Sequence, residues 1–210
     1  MPTTLLAFKS KHRIEPGIVI VQFETQYALA ATFLRIQEHY ESPRFRNRVF
    51  SLEQYMDWYA GRYGAFTYFE DWSGFNVPST ALKPFYAGAF DPLLNKEECL
   101  LRLLQDEAAP FYLIGTAARE NLKHEAAHAL FFLNPTYRRE VRAAMRRYDT
   151  SGLRQRIAEM GYHRSVLTDE VHAYLIASPA GADLGIARLA RLRAQLCAIY
   201  RRHAPVLSLT

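Results

Sequence analysis

The stretch from Thr116 to Asn134, TAARENLKHEAAHALFFLN, contains the five residues that most constrain this chain: His124-Glu125-Ala126-Ala127-His128. On a helix, residues four apart share one face about one turn apart, so both imidazoles can reach a single metal ion. Glu125 projects about 100° around the axis from His124, which removes it as a third ligand but leaves it able to take a proton from water at that ion. The segment reads as a helix, being filled with Ala, Leu, Glu, Lys and Arg. Thr116 is the candidate N-cap and Asn134-Pro135 the candidate stop. Leu122, Ala126, Ala129, Leu130 and Leu133 form an apolar surface, which predicts burial. Two buried histidines need partners, and a metal supplies them directly.

A catalytic zinc site needs a third protein ligand and one open position. Glu170, in TDEVHAYLIA, is the best candidate, because it opens a helix whose apolar face (Val171, Tyr174, Leu175) can pack against the histidine helix. The helix macrodipole favours an acidic residue there whatever the function, and Asp169, His163 and His172 are rival ligands. His163, Tyr162 and Tyr174 are candidate donors to an oxyanion. Tyr174, one turn after Glu170, is also placed to orient a ligand.

HEAAH, followed about forty residues later by a glutamate within DEVHAY, resembles the gluzincins, zinc peptidases with an HExxH motif and a downstream glutamate. The resemblance covers about a quarter of the chain, its specific part is HEAAH, and the first hundred residues carry none. It implies a zincin-like fold, Zn2+ as cofactor, and a peptide or protein substrate. It also implies His124, His128 and Glu170 as ligands and Glu125 as general base.

Length and composition frame this reading. At 210 residues, half of them hydrophobic, the chain is expected to form one α+β domain over 1–210. A mixed half (1–115) would carry a small sheet and an aromatic-rich loop; a mainly helical half (116–210) would carry the site. Lys and Arg exceed Asp and Glu by 26 to 21, a formal charge of +5, which does not by itself call for a nucleic-acid partner. Cys99 and Cys197 lie in no metal or redox spacing. The opening MPTTLLAFKSKHRIEP lacks a signal-peptide core, and no apolar run is long enough to span a bilayer, so the expectation is a cytoplasmic protein with no membrane partner.

Along the chain, Gly17 to Phe23 predicts a strand and Glu24 to Tyr40 a helix with Tyr27, Ala31 and Leu34 on its apolar side. Ser51 caps a predicted helix through Tyr59, with Gly61 past its end. Ala65 to Glu70 reads as a possible strand, and Trp72 to Pro92 as a long aromatic loop, either a cover for the core or one wall of a substrate cleft. Lys96 to Gln105 reads as a helix and Pro110 to Ile114 as a strand offering an edge to an extended peptide. Further helices are expected over Tyr137 to Tyr148, after an Asp149-Thr150-Ser151-Gly152 turn as far as Met160 with Gly161 at its end, over Asp169 to Ala177 behind a Thr168 cap, and from about Asp183 to Arg202.

Two functions of different class follow. One is a zinc-dependent peptidase or amidase. The other is a binding module with a structural metal, in which Arg138, Arg139, Arg142, Arg146 and Arg147 meet nucleic acid or an acidic protein. Glu140, Asp149 and Glu159 dilute that basic surface, and no nucleic-acid-binding motif accompanies it.

Overall fold

The computed structural model of the chain describes residues 8–14, 17–117, 122–177 and 186–204. Its first half combines a small sheet with helices. Strand β1 (Phe8–Ile14) precedes β2 (Ile18–Phe23) and α1 (Gln26–Glu41), which the Thr25 side chain caps by accepting from Ala28 N. Helix α2 (Leu52–Tyr63) begins at a reciprocal Ser51–Gln54 cap. It runs through Gly61, the expected end, and stops at Gly64, whose φ of 90° suits a left-handed cap. Helix α3 (Tyr68–Asp71) replaces the strand expected over Ala65 to Glu70; the Thr67 hydroxyl donates to Asp71 (2.6 Å) across its turn. The expected irregular loop is ordered as β3 (Gly74–Pro78), a 3-10 turn (Ser79–Leu82) and α4 (Lys83–Tyr86). Helix α5 (Asn95–Leu104) and strand β4 (Tyr112–Thr116) complete this half.

Helices dominate the second half: α6 (Leu122–Leu133), α7 (Pro135–Met145), α8 (Ser151–Glu159), α9 (Leu167–Ala177), a 3-10 turn (Ile186–Leu189) and α10 (Ala190–His203). Thr116 is the buried last residue of β4 and so does not cap α6. Asn134 does end α6, and its side chain accepts from Tyr137 N (3.0 Å) to start α7 at Pro135. Thr168 lies inside α9, where its hydroxyl accepts from Arg154 (2.7 Å), rather than capping it. The expected start of the last helix at Asp183 lies outside the described residues. The fold is therefore α+β, a mixed half followed by a helical one. Among the described residues no helix is long and apolar enough to cross a membrane.

The sheet runs in the order β1-β2-β4-β3, with β2 and β4 parallel and the two outer pairings antiparallel. Its period-two alternation sorts side chains between two cores. Val19, Val21, Phe23, Phe75, Val77 and Leu113 join α1 in one, while Ile18, Ile20, Tyr112 and Ile114 join Leu122 and Ala129 of α6 in the other. A third cluster holds the remaining buried face of α6 against α7, α9 and α10. A Cβ on Gly115 would lie 2.5 Å from Phe33 Cε2 and 2.7 Å from Leu29 Cδ1, so the close approach of α1 to β4 requires glycine there.

Two expectations change with this topology. Strand β4 is interior and offers no free edge. The edge beside α6 is β3, and there Asn76 N already donates to Gln37 Oε1 of α1 (3.3 Å). On α1, Tyr27 is 58% exposed, and the buried side is Ala28, Leu29, Ala30, Phe33 and Leu34.

Candidate metal centre

Helix α6 presents His124 and His128 one turn apart toward α9, and their Nε2 atoms lie 3.1 Å from each other. Glu170 of α9 completes a triangle, with Oε2 3.8 Å from His124 Nε2 and Oε1 3.6 Å from His128 Nε2. Ligands at zinc–nitrogen and zinc–oxygen distances of about 2.0–2.2 Å in tetrahedral array stand about 3.3 Å apart. The three separations bracket that value, the two to Glu170 running to different carboxylate oxygens. His124, His128 and Glu170 form the one group of potential ligands close enough to hold a metal among the described residues.

A proton can bridge two imidazoles at 3.1 Å, so this contact alone does not require a metal. Glu170 adds a second observation: it is buried, and its Oε2 is the one buried side-chain nitrogen or oxygen without a hydrogen-bond partner among the described residues. Such a group is costly unless something pairs with it. A divalent cation satisfies both nitrogens and the carboxylate together. Without one, burial and the charges of Glu41, Asp169 and Glu125 push the Glu170 carboxyl well above its ordinary range, against the pull of His128.

The surrounding residues orient this set. His128 Nδ1 lies 3.0 Å from Asp169 Oδ1, the carboxylate–histidine pairing that fixes ring and tautomer in metal sites. Burial would lower the His128 pKa, but Asp169, Glu170 and Glu125 outweigh it and raise it to about 10. Burial and neighbouring His128 instead push His124 well below its usual value, which keeps one ring neutral. Tyr174 sets its ring edge against His124, with centroids 4.9 Å apart, and its hydroxyl bonds to that of Tyr162.

Glu125 is buried beside the ligands and accepts from Asn76 Nδ2 (2.5 Å). The Tyr112 hydroxyl in turn donates to Asn76 Oδ1, so the amide cannot turn over without losing a bond. This follows from the sheet alternation, which points Phe75 and Val77 at α1 and leaves Asn76 toward α6. Burial raises the Glu125 carboxyl to about 7, although His128 and Asn76 oppose it. That value suits a group that must both accept and return a proton near neutrality.

The rival ligands have other roles. Asp169 supports His128, and His172 is occupied at both ends: its Nε2 lies 2.7 Å from the Tyr137 hydroxyl and its Nδ1 3.0 Å from the Asp169 carbonyl. His163 lies in the turn before α9 with Nδ1 2.9 Å from Ser165 Oγ. A cavity of about 50 Å³ beside the ligands is lined by Tyr162, not His163, along with His124, Glu125, Glu170, Asn76, Trp72 and the α1 carboxylates Glu38 and Glu41. Residues 68–76 of the aromatic segment thus form a wall of this cavity, whereas Phe85 and Phe90 stack in the core.

Asn76, Glu38 and Glu41 carry no sequence motif. The only trace of the α1 pair is two glutamates three apart on a helix, a pattern shared by many solvated helix faces. The arginine-rich α7 is partly committed to structure. Arg138 donates to the carbonyls of Phe131 and Phe132 at the end of α6, and the Arg142 guanidinium lies over the Phe131 ring. Comparison with known proteins returns nothing: no family model, no curated protein and no solved structure matches this chain.

Proposed function

We propose that the chain is a zinc-dependent hydrolase of peptide or amide bonds, with a zincin-like arrangement of its site. The observation that carries this reading is the placement of Glu125. It is adjacent in sequence to His124, lines the same cavity as His124 and Glu170, and is held by an uncharged donor that leaves a carboxylate oxygen for proton transfer. A purely structural zinc site would be closed by a fourth protein ligand, and the group here has three. His124, His128 and Glu170 would hold the zinc, which would supply Lewis acidity toward a carbonyl and toward water.

The chain's own residues do the rest. Glu125 takes a proton from the attacking water and returns it to the departing amine. Asn76 keeps the Glu125 carboxylate facing the cavity. Tyr162 and Tyr174, whose hydroxyls bond each other beside His124, are placed to donate to the oxygen that gains charge during attack. The test is Glu125→Gln assayed with zinc against a mixed-sequence fluorogenic peptide library. The variant should keep its zinc and lose about 100-fold or more in turnover. Undiminished hydrolysis by a zinc-loaded Glu125→Gln preparation would remove Glu125 from the mechanism.

A further inference from the structure

A second, larger cleft of about 590 Å³ adjoins the metal-side cavity and shares Glu38, Glu41, Trp72 and Tyr162 with it. Its other aromatic walls are Tyr55, Trp58, Tyr59 and Tyr63 of α2. The charged groups facing it are Glu38 and Glu41 of α1, Asp71 of α3 and Glu159 of α8, against the single cation Arg62 of α2. Three of these are already engaged. Asp71 accepts from the Tyr59 hydroxyl (2.5 Å), Glu159 from Gln155 (2.9 Å), and Arg62 lies over the Tyr63 ring.

Glu38 and Glu41 differ from the exposed Asp71 and Glu159 in their burial. Both are half-buried, and neither has an ion-pair partner among the described residues. Glu38 takes hydroxyl donors from Tyr55, Tyr68 and Ser42, and Glu41 Oε1 takes the Gln37 amide (2.7 Å). Neutral donors of this kind do not cancel a charge that burial has taken from water. Glu170 lines the metal-side cavity together with the same pair. Carboxylates without counter-charge, ringed by aromatic walls, describe a receptor for an organic cation. The ring faces attract it, and the carboxylates accept its N–H groups in charge-assisted bonds. The volume far exceeds that of a bare ammonium and admits a long basic side chain, its methylenes against the rings.

We propose that this cleft is a specificity site for a lysine or arginine side chain of a peptide whose neighbouring amide bond lies at the His124–His128–Glu170 centre. This rests on the hydrolase reading above. Glu38 and Glu41 are its recognition pair, and Trp58 and Trp72 are part of its aromatic wall. A neutral side chain of equal length loses the ionic contacts, and an acidic one meets like charge.

Trp58 and Trp72 are also the only tryptophans in the chain, so intrinsic fluorescence reports occupancy of the cleft without any turnover. The full chain, supplied with zinc, is titrated with N-acetyl-arginine amide, N-acetyl-citrulline amide and leucinamide. The arginine compound should give a saturable change, and the isosteric neutral citrulline compound should bind about tenfold or more weaker. Glu38→Gln/Glu41→Gln, checked for fold by circular dichroism, should lose that preference. Equal affinity for arginine and citrulline, no response to arginine, or a preference that survives in the folded double variant overturns the proposal. Tighter binding of leucinamide also overturns it, by assigning the cleft to an α-ammonium group. Zinc content measured on the same preparation tests the hydrolase reading alone, and the arginine–citrulline comparison in the unmutated chain tests the cleft.

Discussion

Asp169 Oδ1 lies 3.0 Å from His128 Nδ1 and 3.3 Å from His172 Nδ1, so one carboxylate holds the His128 ring by its Nδ1 and leaves Nε2 to the proposed metal position. Burial would raise its pKa, but His128 foremost, with His172, holds it down at about 2. In the metal-free chain it is therefore charged at neutral pH. Asp169→Asn should weaken zinc affinity by about 10- to 100-fold while the fold is kept, measured by competition with a chromophoric chelator. Unchanged affinity would mean that α6 packing alone sets the ring. The convergence of the two histidines on α6 was legible in the sequence because helical spacing maps directly onto geometry. Separating Glu170 from Asp169 and His172 needed the actual rotation of α9, which places Asp169 and Glu170 on His128 and turns His172 toward Tyr137.

Helices were easier to read than the segment between them. Thr25, Ser51 and Asn134 supply side-chain caps, and apolar periodicity fills the turns that follow. Strand β3 was hidden because five residues bounded by Gly74 and Pro78 carry little β signal, and only pairing with β4 makes them a strand. Strand β1 was hidden by its charges: Lys9 and Lys11 alternate with half-buried residues on a sheet edge. Helix α1 owes its position to a contact that pattern alone does not reveal. Arg35 and Glu97 form a buried pair between α1 and α5, through Arg35 Nε to Glu97 Oε1 (2.7 Å) and a second bond from the guanidinium, while Leu94 N also donates to Glu97. Glu97→Ala would leave the guanidinium buried beside two carbonyls, at an expected cost of about 3–5 kcal/mol in chemical denaturation. A cost under about 1 kcal/mol would show that water replaces the carboxylate easily.

At the scale of the whole molecule, the chain gathers carboxylates that oppose its own stability. Burial raises Glu38, Glu41 and Glu125 from 4.5 to about 7 each. Between those values the metal-free native state binds more protons than the unfolded chain, so its stability falls as pH rises through that window. His128, raised from 6.5 to about 10, acts in the same direction: its contribution is complete below 6.5 and is lost as pH rises through 10. Metal-free protein should therefore melt at a higher temperature at pH 5 than at pH 8. Glu38→Gln, which keeps an acceptor for Tyr55 and Tyr68, should gain on the order of 1–3 kcal/mol at pH 8 and little at pH 5. Equal gains at both pH values would mean that repacking, not charge, is responsible. Side chains retained at such a cost support the proposed site, since they surround the position where His124, His128 and Glu170 converge. The most direct test of that convergence is zinc content of the purified, zinc-supplied protein beside His128→Ala and Glu170→Ala. About one zinc per chain, lost from both variants, is the expected result. A chain that takes up no metal, or one that keeps its zinc in Glu170→Ala, would contradict it.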